Sequence, residues 1–239
     1  MTEAPVRDYR GQVASIRRSR LHPRRSDYLY LHLRRLRDDL AAALAELEIT
    51  DVLDVYCGAR PYEPLLGPGT RYVGFDLDDA FGCADVVSDQ FLPFPDASFD
   101  LCLCTQAFYF VPDPAAGIAE LSRVLRPGGH AVLTFPIVYP GTERLYSELQ
   151  LRELFDGWDD VVVVENGGTV VSIATLTGYL LHRLERRTPR PARRIFDALY
   201  VALNVAGAAA DRLESRYLRS DARLPANLLV RARRPPAGG

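Results

Sequence analysis

Lysine is absent from this 239-residue chain, and all 29 basic residues are arginine. That excludes Schiff-base chemistry and a lysine general base, both of which need a titratable amine. With the Ala- and Pro-rich texture, it reads as the codon usage of a GC-rich bacterial genome. Net charge is nearly absent too, at -2, so no overall field draws the chain to nucleic acid. No apolar run reaches the ~18–20 residues of a membrane span. The opening MTEAPVRDYRGQVASIRRSR has charges but no apolar stretch behind them, unlike a secretory signal, so a cytoplasmic protein is expected. Cysteine is sparse: Cys57, Cys83, Cys102 and Cys104 form no CxxC pair and no disulfide framework. Cys102 and Cys104, two apart, share one strand face and read as core thiols. Four scattered histidines, His22, His32, His130 and His182, give no metal-ligand spacing.

What is present is an ordinary globular balance, with 48% apolar and 25% charged residues. The charge is uneven. Ten arginines between Arg7 and Arg37 face only Asp8 and Asp27, whereas residues 51–140 hold twelve acids and four arginines. The basic arm reads either as a solvated helix face laced with salt bridges or as a surface for phosphates.

Residues 1–25 read as an irregular arm closed by Pro23. An amphipathic helix follows from Asp27 to Leu47, with Ser26 as its N-cap. From Asp51 the texture changes to short apolar runs: DVLDVY, RYVGFD, ADVVS, FDLCLCT and HAVLTFP. Runs without strict alternation are strands buried on both faces, as in a parallel sheet covered by helices. DPAAGIAELSRVL is a helix with Asp113 as cap and Pro114 at its first position, stopped by Arg126-Pro127-Gly128-Gly129. Further on, residues 146–156 look helical and DVVVVE reads as a strand. Helices follow at roughly 169–187 and 191–217, and LPANLLVRARR forms a last strand. Alternating strands and helices point to an α/β sheet with right-handed crossovers.

In such sheets ligands bind beyond the carboxyl ends of the strands. VLDVYCGARPYEPLL places Asp54 at a strand end, then a turn at Gly58 and a short helix opened by Pro61. Asp76 ends the second strand, where an acid can accept hydrogen bonds from a ribose diol. Asp89 follows the third strand, within reach of an adenine amino group.

The stretch from about Val52 to Pro136 resembles the class I S-adenosylmethionine-dependent methyltransferases. Within them it is similar to the small bacterial, type 11-like subgroup whose first motif reads like DVGCGxRPY. DVYCGARPYEPLL, YVGFDLDD, SDQFLPFPDASFDLCLCTQAFYFVPDP and ELSRVLRPGGHAVLTFP carry the resemblance. It implies a Rossmann-like, doubly wound, mostly parallel seven-stranded sheet of order 3-2-1-4-5-7-6, with a helical pair inserted at about 168–217 before the last strand. Residues 1–50 would form an arm and helix, and 51–239 the methyltransferase-like domain. The implied activity is methyl transfer from S-adenosylmethionine, without a metal, to an oxygen or nitrogen of a small-molecule, glycan or lipid-linked acceptor. Asp54, Tyr56 and Gly58 would face the methionine half of the cofactor. Asp76, with Leu77, would hold the ribose, Phe91 or Leu92 would flank the adenine with Asp89 on its amino group, and Thr105 and Gln106 would line the methionine side and the entrance to the acceptor pocket. No histidine stands in the matched acceptor region, so Tyr109 is the candidate ionisable group there.

Two departures matter. Tyr56 stands where the family has glycine, and Phe108-Tyr109-Phe110 replaces polar residues near the reacting centre. The rival reading is a methyltransferase fold with lost or altered chemistry, serving as a binding or scaffold protein or running a different pocket reaction. Missing GxGxxG spacing speaks against a dinucleotide oxidoreductase. The apolar segments within 169–217, beside Arg183, Arg186, Arg187, Arg190, Arg193 and Arg194, read as a cover over the sheet edge and acceptor lid, as a homodimer surface, or as a peripheral membrane contact.

Overall fold

The computed structural model describes residues 8–138, 144–217 and 224–236. In chain order the elements are α1 (Val13–Leu21), α2 (Tyr30–Ala45), β1 (Asp51–Val55), β2 (Arg71–Asp76), β3 (Val86–Val87), β4 (Phe99–Thr105), α3 (Pro114–Val124), β5 (Leu125–Pro136), α4 (Glu148–Leu154), β6 (Asp159–Asn166), α5 (Thr169–Glu185), α6 (Arg194–Tyr217) and β7 (Asn227–Arg233). The seven strands form one sheet in the order β3-β2-β1-β4-β5-β7-β6. Strands β1 to β5 pair in parallel, and β7 runs antiparallel between β5 and β6. The fold class, the sheet order and the helical pair between the last two strands are those the sequence implies.

Strand alternation divides the core. Leu53 and Val55 point to the face covered by Ile118 and Leu121 of α3 and by Leu151 of α4. Val52, Leu101, Leu103 and Val132 point to the other face, under Leu36, Leu40 and Leu44 of α2. Those three leucines recur every fourth residue, which keeps one stripe of the helix on the sheet. Cys102 and Cys104 lie together on the α3 face, fully buried. Edge strand β6 alternates half-buried and exposed positions, and so covers the core on one side only.

Several local expectations are corrected. Residues 1–7 lie outside the described residues, but 13–21 of the arm are helical, not irregular. This short helix has no buried stripe. It is held by Arg17 donating to the Ala59 carbonyl (2.6 Å) and by Arg37 of α2 donating to the Leu21 carbonyl (2.9 Å), contacts that no local periodicity encodes. Ser26 does not cap α2, which starts at Tyr30. The Asp27 carboxylate instead accepts from the Arg24 amide at 2.7 Å and closes a turn. The segment opened by Pro61 makes a single 3-10 turn, Glu63–Leu65. Asp113 does cap α3, accepting from Ala115 and Ala116. Arg126-Pro127-Gly128-Gly129, however, belongs to the start of β5, where a register shift against β4 absorbs the glycines.

The inserted pair α5–α6 is tied to the front of the chain. Glu214 of α6 accepts from the Thr169 and Val170 amides (2.7 and 2.9 Å), capping α5 where Gly168 offers no side chain. Asn204 donates to the carbonyls of Arg25 and Asp27 (2.8 and 3.0 Å). Asp211 is paired with Arg35. Gly178 lies directly on the Tyr28 carbonyl oxygen, 2.1 Å from where a Cβ would stand. Backbone cannot yield there as a flexible side chain could. Gly178→Ala is therefore expected to separate α5 from residues 25–33, at the cost of about 1–3 kcal/mol typical of overpacking, or a melting temperature lower by about 2–10 °C. An unchanged thermal midpoint would show that this approach is not needed.

Candidate functional site

The carboxyl ends of β1 and β4 open onto a cavity of about 630 Å³. After β1 the chain turns through three residues with positive φ: Tyr56 (59°), Gly58 (50°) and Arg60 (51°). Only at Gly58 does a missing Cβ make this conformation easy. The Gly58 amide donates to one oxygen of Asp76 (3.0 Å), and the Leu77 amide donates to the other (2.9 Å). Each oxygen keeps acceptor capacity, and burial pushes the carboxyl upward against those two bonds. Arg60 locks the turn from below. It reaches Asp85 (3.0 Å), the Cys83 carbonyl (3.2 Å) and Glu63 (3.2 Å), with its guanidinium 4.1 Å from the Tyr72 ring centre. The arm closes the near side: Tyr9 stacks on Phe81 at 5.1 Å, and Phe81 borders Gly58.

Tyr56, Gly58, Thr105, Gln106 and Tyr109 all line the cavity. The Tyr56 ring is half-buried and tilts against Phe75 and Phe91, each 6.2 Å away. Gln106 is held back on Thr134: its amide lies 2.9 Å and its side-chain nitrogen 3.2 Å from the hydroxyl oxygen. The aromatic run divides its work. Phe108 is core, packed at 5.9 Å on Phe135, Tyr109 faces the cavity, and Phe110 is exposed.

Asp54 does not reach the cavity wall, contrary to the sequence expectation. It follows Leu53 on β1 and so points to the α2 face, where the Tyr72 hydroxyl donates to one oxygen and the other has no partner. Asp76, Leu77, Asp89 and Phe91 lie outside the enclosed part, along the open edge beyond β2 and β3; Asp89 is exposed.

The far wall holds groups that sequence reasoning missed. Tyr28 arrives from the turn before α2, His32 from its first turn, His182 and Glu185 from α5, and Asp197 and Tyr200 from α6. Two histidines, His32 and His182, thus line the cavity from outside the matched stretch. His32 is fully buried and pushed down to about 3 by that burial and by the Arg20 charge, so it is neutral. His182 stacks on Tyr28 with ring centres 4.2 Å apart and planes 6° from parallel. Its Nδ1 is 3.1 Å from Glu185 Oε2, which also accepts from the Tyr200 hydroxyl at 2.9 Å. His182 and Glu185 do stand at helical spacing in the sequence. Nothing local signals that α5 packs against Tyr28.

Burial pushes the Asp54 carboxyl up to about 7, against the pull of its Tyr72 bond. A folded value above the unfolded one means stability is lost as pH rises from about 4 to about 7, with no further loss beyond. Asp54→Asn keeps an acceptor for Tyr72 and cannot ionise. Its stability relative to wild type should rise across that window, by at most about 1.4 kcal/mol per pH unit, and then level off. Urea melts near pH 4.5, 6 and 8 test this, and a pH-independent difference would refute the assignment.

A sequence profile described as a methyltransferase domain matches residues 53–133. The 27-O-demethylrifamycin SV methyltransferase of Amycolatopsis mediterranei is 32% identical over 112 residues, covering 46% of this chain and 36% of that protein. The fatty-acid O-methyltransferase of Mycolicibacterium smegmatis is 34% identical over 113 residues, covering 39% of each. The chain thus spans well under half the length of these two relatives. Among solved structures, the [4+2]-cyclase SpnF is similar in fold, with TM-score 0.57 and 20% identity over 86% of this chain and 82% of that one. Residues 53–133 are thus similar to a methyltransferase domain, and they hold the strands β2 to β4 and most of β1 and β5 within a sheet of this order.

Proposed function

We propose that the protein transfers a methyl group from S-adenosylmethionine to an oxygen of a small-molecule acceptor. The observation that carries this reading is the arrangement of Asp76 around the Gly58 turn. Its two oxygens are each fixed by one amide and each retain acceptor capacity, the chemistry a ribose diol needs. Asp76 with Leu77 would hold the ribose, Phe91 and Asp89 the adenine, and Gly58, Tyr56, Thr105 and Gln106 the methionine end. Asp54, paired with Tyr72, lies behind the site. S-adenosylmethionine, when bound, supplies a methyl group already activated on a sulfonium. The chain's remaining tasks are to align the acceptor, exclude water and take up a proton. An oxygen acceptor is favoured because the fatty-acid relative is named an O-methyltransferase and the rifamycin relative is named for a 27-O position. Glycan and lipid-linked acceptors are finer versions of the same proposal.

Calorimetry with S-adenosylmethionine and S-adenosylhomocysteine tests it, with Asp76→Ala beside wild type. Loss of charge-assisted hydrogen bonds to a buried diol should weaken both ligands by about one to three decades, and Asp76→Asn by less. Because Asp76 also receives the Gly58 and Leu77 amides, the alanine variant should melt lower as well. Absence of wild-type binding would sink methyl transfer and favour the second reading. The observation behind that reading is Tyr56, whose ring stands where the turn ordinarily has none. The cyclase likeness shows only that the fold is shared with a protein named for another reaction.

We also propose that the α5–α6 tip meets an anionic membrane. No helix among the described residues is long and apolar enough to cross one. Leu180, Leu184, Ile195 and Leu199 are exposed beside exposed Arg183, Arg186, Arg187, Arg190 and Arg194, an apolar face rimmed by positive charge. Co-sedimentation with phosphatidylglycerol-containing vesicles but not with pure phosphatidylcholine is expected. Reversing two charges in Arg186→Glu/Arg187→Glu should weaken it about tenfold or more. Equal binding to both vesicles, or a stable dimer covering the face, would rule this out.

A further inference from the structure

We propose that His182, oriented by Glu185, is the base that accepts the proton of a phenolic or enolic hydroxyl acceptor. This rests on the methyl-transfer reading and adds to it a reacting group and a class of acceptor. Three observations converge. His182 lines the same cavity as Tyr56, Thr105 and Gln106, so it shares the space into which the carboxyl ends of β1 and β4 open. Its ring is immobilised by the Tyr28 stack and by Glu185. The third is the tautomer. A carboxylate only accepts, so in the neutral ring the Glu185 bond requires the proton on Nδ1, which leaves Nε2 with a lone pair. The Glu185 carboxylate thus engages Nδ1 and not Nε2.

Tyr200 completes the arrangement. Burial, and next its bond to Glu185, raise its hydroxyl well above the ordinary phenol value, so it remains a donor and does not compete as a base. Two bonds on one oxygen fix the carboxylate that would face the imidazolium. In the step, the acceptor oxygen forms its bond to the methyl carbon as the carbon–sulfur bond breaks, its electron pair remaining on sulfur. The hydroxyl proton passes to Nε2 and is later released to water. The charged and titratable groups that line the cavity with His182 are Arg18 and Arg20 of α1, Asp27 and Tyr28 before α2, His32 of α2, Tyr56 and Cys57 after β1, Tyr109 after β4, Glu185, Asp197 and Tyr200. Arg18 lies 3.5 Å from Asp27. Glu185 and Asp197 disfavour a carboxylate acceptor, which would need no base, while Tyr28, Tyr109 and Tyr200 offer ring surfaces to an aromatic hydroxyl.

The test needs no acceptor. Imidazole nitrogen NMR on the full chain, with His182→Gln identifying the signal, reads tautomer and titration in complexes with S-adenosylmethionine and with S-adenosylhomocysteine. A sulfonium across the cavity should lower the His182 midpoint relative to the neutral thioether by about half a pH unit or more. The neutral ring should carry its proton on Nδ1. Glu185→Gln should lower the midpoint in both complexes. Equal midpoints in two tightly bound complexes, or a proton on Nε2, would overturn the dyad and leave methyl transfer standing. Failure of both ligands to bind in calorimetry would overturn the two together.

Discussion

The site depends on the contact between the inserted helices and residues 25–33. The sheet supplies a turn and an edge, but no wall opposite them. That wall exists because Asn204 takes the Arg25 and Asp27 carbonyls and because Gly178 lets α5 lie on the Tyr28 backbone. Both groups lack alternatives. A buried amide left without its carbonyls would face the full penalty of desolvation, and any larger residue at 178 would meet a peptide oxygen. One helical turn beyond Gly178 stands His182, already stacked on the Tyr28 ring. Backbone approach and side-chain orientation are thus one event.

The same constraint explains how distant parts of the chain meet in one cavity. Residues 13–33 arrive first, the strand ends next, and α5–α6 last, so the far wall closes through contacts separated by more than a hundred positions. Arg35 with Asp211, Asn166 with Asp39, and Asn204 with Asp27 are three polar ties across that span. The first two fix α2, and the third fixes the turn before it, against elements beyond β5. The apolar stripe of α2 alone would seat it on the sheet without setting its rotation as narrowly.

Legibility from sequence follows the range of the forces involved. The succession of strands and helices, the Gly58 turn and the strand-end place of Asp76 could be read because strand hydrophobicity and turn chemistry are local, whereas the sheet order was implied by the family resemblance alone. The Asp113 cap could be read for the same reason. Asp54 was misplaced by one face, since a strand-end acid looks alike whichever side it points to, and only Tyr72 on the neighbouring strand decides. The helix at 13–21 and the His182–Glu185 pair were illegible as parts of the site. Their meaning lies in what they touch, which is Ala59 in one case and Tyr28 in the other.

Backbone strain gives the same picture of a preset site. Of the non-glycine residues with positive φ, Tyr56, Arg60, Leu92 and Gln106 all lie beyond carboxyl ends of the parallel strands. A left-handed side-chain-bearing residue costs on the order of 1 kcal/mol, so each persists only where other bonds over-determine it. Arg60 is held by two acids and a carbonyl, Gln106 by Thr134, and Tyr56 by two aromatic rings. At Tyr56 the turn keeps the conformation a glycine would adopt, and the added phenol lies against Phe75 and Phe91, filling the rim between the two strand ends. The cost of that substitution falls on the backbone and its gain on packing at the cavity's edge. A tyrosine in this conformation is therefore better understood as reshaping the cleft than as a collapsed turn.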